Sequence, residues 1–191
     1  MVQRLAGTGL AGDRLLAGSG GGRRGKLLLD PVNVVGEWWF MGMTLSFTRV
    51  TPEQLELAFE DPERALEYLE DEERPYCFLE KSWAGIQFLL DAAGVGVDVY
   101  EDGDAIDEEC TLFGWSDSMV AATAKALGAT PFEVLAGFYD PQRLSEKDVY
   151  PMRHLWDADD IGYLRDNYGD LARFFEETAA AGDAAIRNFS F

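Results

Sequence analysis

The chain has 191 residues, 47% of them hydrophobic and 13% aromatic, which is ample for one domain with a sizeable core and argues against wholesale disorder. Its net charge is -19 and is unevenly spread: residues 1–40 hold five basic side chains (Arg4, Arg14, Arg23, Arg24, Lys26) and three acidic ones (Asp13, Asp30, Glu37), leaving 11 Lys+Arg against 32 Asp+Glu on residues 41–191. A body carrying that excess of 21 negative charges repels phosphate backbones and argues against nucleic-acid binding, while a basic protein, a cationic ligand or a metal ion suits it electrostatically.

Residues 1–40 stand apart. Nine of the 20 glycines fall within residues 1–36, including Gly18-Ser19-Gly20-Gly21-Gly22, and no apolar periodicity is sustained. Such a composition cannot bury enough surface to offset the entropy of ordering, so the segment is expected to be disordered, or a mis-assigned leader ahead of a start at Met41 or Met43. Arg23-Arg24 hints at an export signal, but Leu27-Leu28-Leu29 is cut short by Asp30-Pro31. No run of apolar residues is long enough for a membrane span.

From Met41 the pattern tightens. Met43–Val50 alternates apolar and polar residues, as a strand with one buried face does. Thr51-Pro52-Glu53-Gln54 then opens a helix with a capping box, and Asp61-Pro62 opens a second. Tyr76–Leu79 reads as a short strand. Trp83, Ile86 and Leu90 follow at helical spacing, and Gly94 and Gly96 end that helix. An acidic run, Glu101–Glu109, precedes an apolar one, Cys110–Trp115. Ser116 caps a helix carrying Val120, Ala124 and Leu127; Thr130-Pro131-Phe132-Glu133 predicts another capping box, on a helix running to Tyr139, and Asp140-Pro141 repeats the device. The longest helix is predicted from Asp157, with Ile161, Leu164, Tyr168, Leu171, Phe175 and Thr178 on one face, and Gly182 before a terminal strand at 184–191. Three or four strands interleaved with five or six helices predict a mixed α/β domain over residues 41–191: a small central sheet with helices packed on it, like a three-layer sandwich.

Chemistry is sparse. Cys77 and Cys110 have no CxxC spacing and no histidine at metal-ligand distance, so neither a disulfide framework nor a zinc site is predicted, and both read as small core residues in a reducing, intracellular setting. The acidic run breaks the ligand spacing of a calcium loop at Ala105-Ile106 and reads as a solvated loop, so no metal or cofactor is predicted. No nucleophile elbow, phosphate loop or dinucleotide fingerprint occurs, and His154 is the single histidine. Trp83, Trp115 and Trp156 read first as core aromatics. The segment Phe138–Asp157 crowds together the residues best able to bind a ligand or partner, and the candidates are Trp83, Gln87, Tyr139, Asp140, Tyr150, His154, Trp156 and Asp157. Asp140 and Asp157 read first as helix N-caps, on the strength of their helix-start patterns.

Met41-Gly42-Met43, the strand to Val50, Thr51-Pro52-Glu53-Gln54-Leu55, the block Leu79–Leu90, and Tyr139-Asp140-Pro141…Leu144…Val149-Tyr150-Pro151…Trp156-Asp157 resemble the YfbM-like family of bacterial proteins, a domain of unknown function. The resemblance spans residues 41–191 in one order. It implies an α/β sandwich in a cytoplasmic bacterial protein, and no established activity. Family members often carry a histidine after the tryptophan or at the position of Gln87; this chain has Ala84 and Gln87, which weakens any histidine chemistry carried over. The reading is an acidic module that recognises a basic protein, an immunity-like role being one form of it. A small enzyme using carboxylates and tyrosines near Trp83, Tyr139, Asp140 and Tyr150 is the alternative, and a homo-oligomer would show an apolar symmetric face.

Overall fold

Strand β1 (Thr44–Val50) forms where the apolar alternation predicts it, with Leu45 and Phe47 buried on one face of the sheet and Thr48 and Val50 on the other. The computed structural model describes residues 42–151 and 156–191; the expectations for residues 1–40 and for His154 lie outside the described residues. Thr51 then turns the chain into α1 (Pro52–Glu60). Its hydroxyl accepts the Gln54 amide at 3.3 Å while the Gln54 side chain accepts the Thr51 amide at 3.0 Å, so the predicted capping box closes in both directions. Asp61 accepts the Glu63 amide at 3.1 Å and starts α2 (Pro62–Glu70).

Arg74 holds the turn that follows. Its guanidinium donates to Asp71 (3.1 Å) and to the Gln54 side chain (3.0 Å), and it lies 4.7 Å over the Tyr68 ring. This sets the entry of β2 (Tyr76–Glu80). After it come α3 (Trp83–Ala93), closed by Gly94 at a φ of 68°, the short β3 (Asp104–Ala105), β4 (Leu112–Trp115), α4 (Asp117–Gly128), α5 (Phe132–Ala136), α6 (Pro141–Glu146), α7 (Asp160–Ala181) and β5 (Ala184–Ser190). Gly182 ends α7 in the left-handed region at a φ of 72°, where a Cβ would be strained.

The strand order is β2-β1-β5-β4-β3, with every pairing antiparallel, so the last strand of the chain lies at the centre of the sheet. Leu45, Phe47, Cys77, Leu79, Trp115, Ala185 and Phe189 pack on one side against α3 through α7, with Phe175, Leu171 and Leu164 of α7 at the centre. Val50, Leu112, Ala184 and Ile186 pack on the other side against Leu55 and Ala58 of α1 and Ala65 of α2. The result is helix, sheet, helix: the predicted mixed α/β sandwich, with seven helices and five strands among the described residues.

Four local readings need correction. Helix α7 begins at Asp160, because Asp157 uses its carboxylate to accept the Asp159 amide (2.8 Å) in a turn ahead of the helix. Thr130 does not cap α5; its hydroxyl donates back to the Ala126 carbonyl (3.0 Å) and finishes α4, so α5 is a single turn that reaches Tyr139 only through tighter i→i+3 bonds. The acidic run contains β3, which pairs Asp104 with Gly114 and Ala105 with Phe113. Cys110 is exposed at a φ of 56° outside β4 and is not a core residue, whereas Cys77 is buried.

Candidate functional site

The aromatic corner is built from α3 inward. Trp83 starts that helix, and its indole lies between two tyrosines: 5.2 Å from Tyr100 and 5.8 Å from Tyr150 between ring centroids, nearly parallel to both. Phe189 of β5 meets Trp83 and Tyr100 edge-on. The Trp83 Nε1 donates to the Met43 carbonyl at 3.3 Å, which ties the corner to the start of β1. Burial raises the Tyr150 hydroxyl pKa.

One turn along α3, Gln87 donates to Asp91 (2.7 Å) and to the Val97 carbonyl (3.2 Å) and accepts the Val99 amide (2.8 Å), fastening segment 97–99 to the helix. Tyr139 donates its hydroxyl to the Asp157 carbonyl at 2.5 Å; burial, and then the charges of Asp160 and Asp157, push its pKa up to about 12. Asp140 accepts the Gln142 and Arg143 amides at 3.0 and 3.1 Å, so it caps α6 as predicted. Trp156 is 7% exposed, donates to the Val149 carbonyl at 3.2 Å and lies against Gly85, where an added Cβ would sit 2.5 Å from its ring. The structure therefore brings Trp83 together with Tyr150 and Tyr139 together with Asp157. Most of their polar atoms are engaged within the chain. Of the seven candidates among the described residues, only Gln87 lines the open groove of about 530 Å³ between α3 and the end of α6, which also carries Phe88, Asp91, Arg143 and Lys147.

Two aspartates in and just before the acidic loop are likewise turned onto their own backbone. Asp107 accepts the Thr111 and Leu112 amides at 2.9 and 2.7 Å, and Asp98 accepts those of Tyr100 and Glu101 at 2.9 and 2.8 Å. Among the described residues, no three His, Cys, Asp or Glu side chains are placed to share a metal ion. Burial pushes the Cys77 thiol up to about 12, which keeps it protonated and unreactive.

Two features escape the sequence reading. Arg187, in the middle of β5, is 1% exposed between Tyr100 (5.3 Å) and Phe113 (4.0 Å), with Nε and Nη1 unpartnered among the described residues. Burial lowers its pKa, against the opposing pull of Tyr100, Glu101, Asp107 and Asp98. A lone charge within an apolar terminal strand is its one trace in the sequence.

The second feature is the half of the sheet that α1 and α2 leave uncovered. There Ser46, Thr48 and Asn188 floor a groove of about 490 Å³, with Tyr76 and Phe78 as one wall and Asp71 and Glu72 at the rim. Tyr76 is 67% and Phe78 50% exposed, on a strand whose alternate residues Cys77 and Leu79 are buried. Across β2 a smaller groove of about 320 Å³ runs beside α7, lined by Asp170, Arg173, Phe174 and Glu177. The signal was present in the outward positions of Tyr76-Cys77-Phe78-Leu79, but only the strand order makes them an edge.

The fold is that of a solved structure, a protein of unknown function, YfbM, from Escherichia coli. The two share 16% identity with a TM-score of 0.56, over 76% of this chain and 99% of that one. At that identity the likeness shows the fold alone. No curated protein matches the chain. Residues 41–187 match the family described as a domain of unknown function (DUF1877), and the chain belongs to that family.

Proposed function

We propose that this domain is a cytoplasmic, acidic binding module that recognises a basic protein, with an immunity-like, toxin-neutralising role as one form of it. The observation that carries the reading is the pairing of two exposed aromatics, Tyr76 and Phe78, with the carboxylates Asp71 and Glu72, on a body holding 21 more acidic than basic side chains. Exposed aromatic rings beside carboxylates suit Lys and Arg side chains, through cation–π contact and charge together. The long-range field adds steering, since a strongly acidic surface raises the encounter rate with a cationic partner. Among the described residues no helix is long and apolar enough to cross a membrane.

The test is a pull-down from the native cytoplasm at low ionic strength, followed by titration of the recovered partner against salt. The expected partner is basic, and its affinity falls steeply as the Debye length shrinks from about 20 Å to below about 5 Å. A partner that is acidic, or whose binding ignores salt, removes the reading. The enzyme alternative lacks a comparable observation, since Tyr139, Asp140 and Asp157 are occupied by bonds that build the corner.

A further inference from the structure

The sheet has two edges among the described residues. One is β3, two residues long; the other is β2, five residues long, with neither a proline nor a lysine within it. Proteins usually blunt a strand edge of this kind with charge, proline or a cover, because it is a template for another strand. Here the side chains that alternate outward on β2 include two exposed aromatics.

The pairing pattern says which backbone groups are open. The Arg49 amide donates to the Pro75 carbonyl at 3.0 Å, and the register then pairs Thr48 with Tyr76, Phe47 with Cys77 and Ser46 with Phe78. In an antiparallel ladder, bonded and non-bonded pairs alternate, so Cys77 faces β1 while Tyr76 and Phe78 direct their N–H and C=O groups to the open side. Beyond Phe78 the edge closes: the ladder shifts register opposite Leu45/Ser46, and the Leu79 carbonyl accepts both the amide and the hydroxyl of Ser82. The free ladder is short and centred on Cys77.

We infer that β2 is an acceptor edge, which takes an extended, basic segment of the partner as a sixth strand. The inference rests on the basic-partner reading and specifies the form in which that partner is held. An added strand sends alternate side chains to opposite faces, and β2 has a groove on each: about 490 Å³ beside Tyr76 and Phe78, and about 320 Å³ beside α7. The residues lining the two grooves include four carboxylates, Asp71, Glu72, Asp170 and Glu177, against one cation, Arg173; Asp170 is paired with Arg173 and Asp71 with Arg74, which leaves Glu72 and Glu177 without a basic partner among the described residues. Main-chain bonds to Tyr76 and Phe78 supply register-tolerant affinity, and the grooves select Lys or Arg at alternate positions. A second copy of this chain fits poorly, because it would set the same carboxylates against each other.

The test uses the full chain and a capped Lys-Val-Lys-Val-Lys-Val peptide, compared with the same peptide N-methylated on alternate amides, which keeps the charge and removes the ladder. Binding is followed by fluorescence anisotropy and by backbone amide shifts. The expected result is binding of the first peptide with shifts at Tyr76 and Phe78, and a loss of roughly tenfold or more on N-methylation or in Phe78→Lys, whose charge blocks the edge. Equal, salt-sensitive binding of both peptides overturns strand addition and leaves the basic-partner reading standing. Absence of binding by either peptide at low salt overturns both. Concentration-dependent dimerisation lost in Phe78→Lys overturns the inference in favour of a second copy as occupant.

Discussion

Trp156 shows what one side chain contributes to this fold. It closes over Gly85 and Leu164, its indole N–H is held by the Val149 carbonyl, and almost none of its surface reaches solvent. Trp156→Ala is expected to cost about 3–5 kcal/mol in urea unfolding, the range for deleting a buried ring; a loss well under 1 kcal/mol would mean that the ring is not part of the core. Arg187 predicts the opposite sign. A buried cation with two unpartnered donors lowers stability relative to an apolar residue of similar length, so Arg187→Met is expected to leave stability unchanged or raise it by about 1–2 kcal/mol. A clear loss in that variant would show that the contacts with Tyr100 and Phe113 outweigh the burial of the charge.

Among the elements, two threonine-proline starts that look alike in sequence behave differently in the fold. Thr51 caps α1 reciprocally with Gln54, whose side chain also receives Arg74 and so steadies the turn into β2. Thr130 completes α4 instead. Thr51→Ala is therefore expected to cost about 1 kcal/mol or more by chemical denaturation, and Thr130→Ala less than about half of that. Equal losses would contradict the assignment. The pair also shows where local sequence stops being informative. A capping motif states which atoms could bond, but whether a hydroxyl turns forward into the next helix or back into the last depends on how closely the two helices follow each other. The same limit applied to Asp157, whose carboxylate serves a turn three residues ahead of α7.

For the molecule as a whole, the apolar alternation of β1, the stripe of α7 and the glycine stops made the layers legible, because those signals are periodic and local. The proposed binding surface was not legible. Tyr76 and Phe78 lie exposed on a sheet edge only because β5 takes the centre of the sheet and leaves β2 at its edge, a choice made by long-range pairing. Burial pushes Tyr139, Tyr163 and Tyr168 up to about 12, from an ordinary value near 10. Each is neutral in both folded and unfolded chains below about pH 10, so the stability it contributes is intact there and is lost as pH rises from about 10 towards 12. Absorbance at alkaline pH should show three phenols ionising late, together with unfolding; phenolate formation at ordinary pH in the folded chain would contradict their burial. The charge excess acts at neutral pH. With 32 acidic against 11 basic residues on 41–191, like charges repel more in the compact chain than in the expanded one. Raising salt from about 10 mM to about 200 mM shortens the Debye length from about 30 Å to about 7 Å, so the melting temperature should rise by roughly 2–5 °C. The same addition should weaken a basic peptide on β2. Opposite responses of stability and binding to one salt titration would separate self-repulsion from partner attraction within a single protein, and a melting temperature that fell with salt would mean that the few ion pairs, such as Arg49–Asp183, outweigh the net charge.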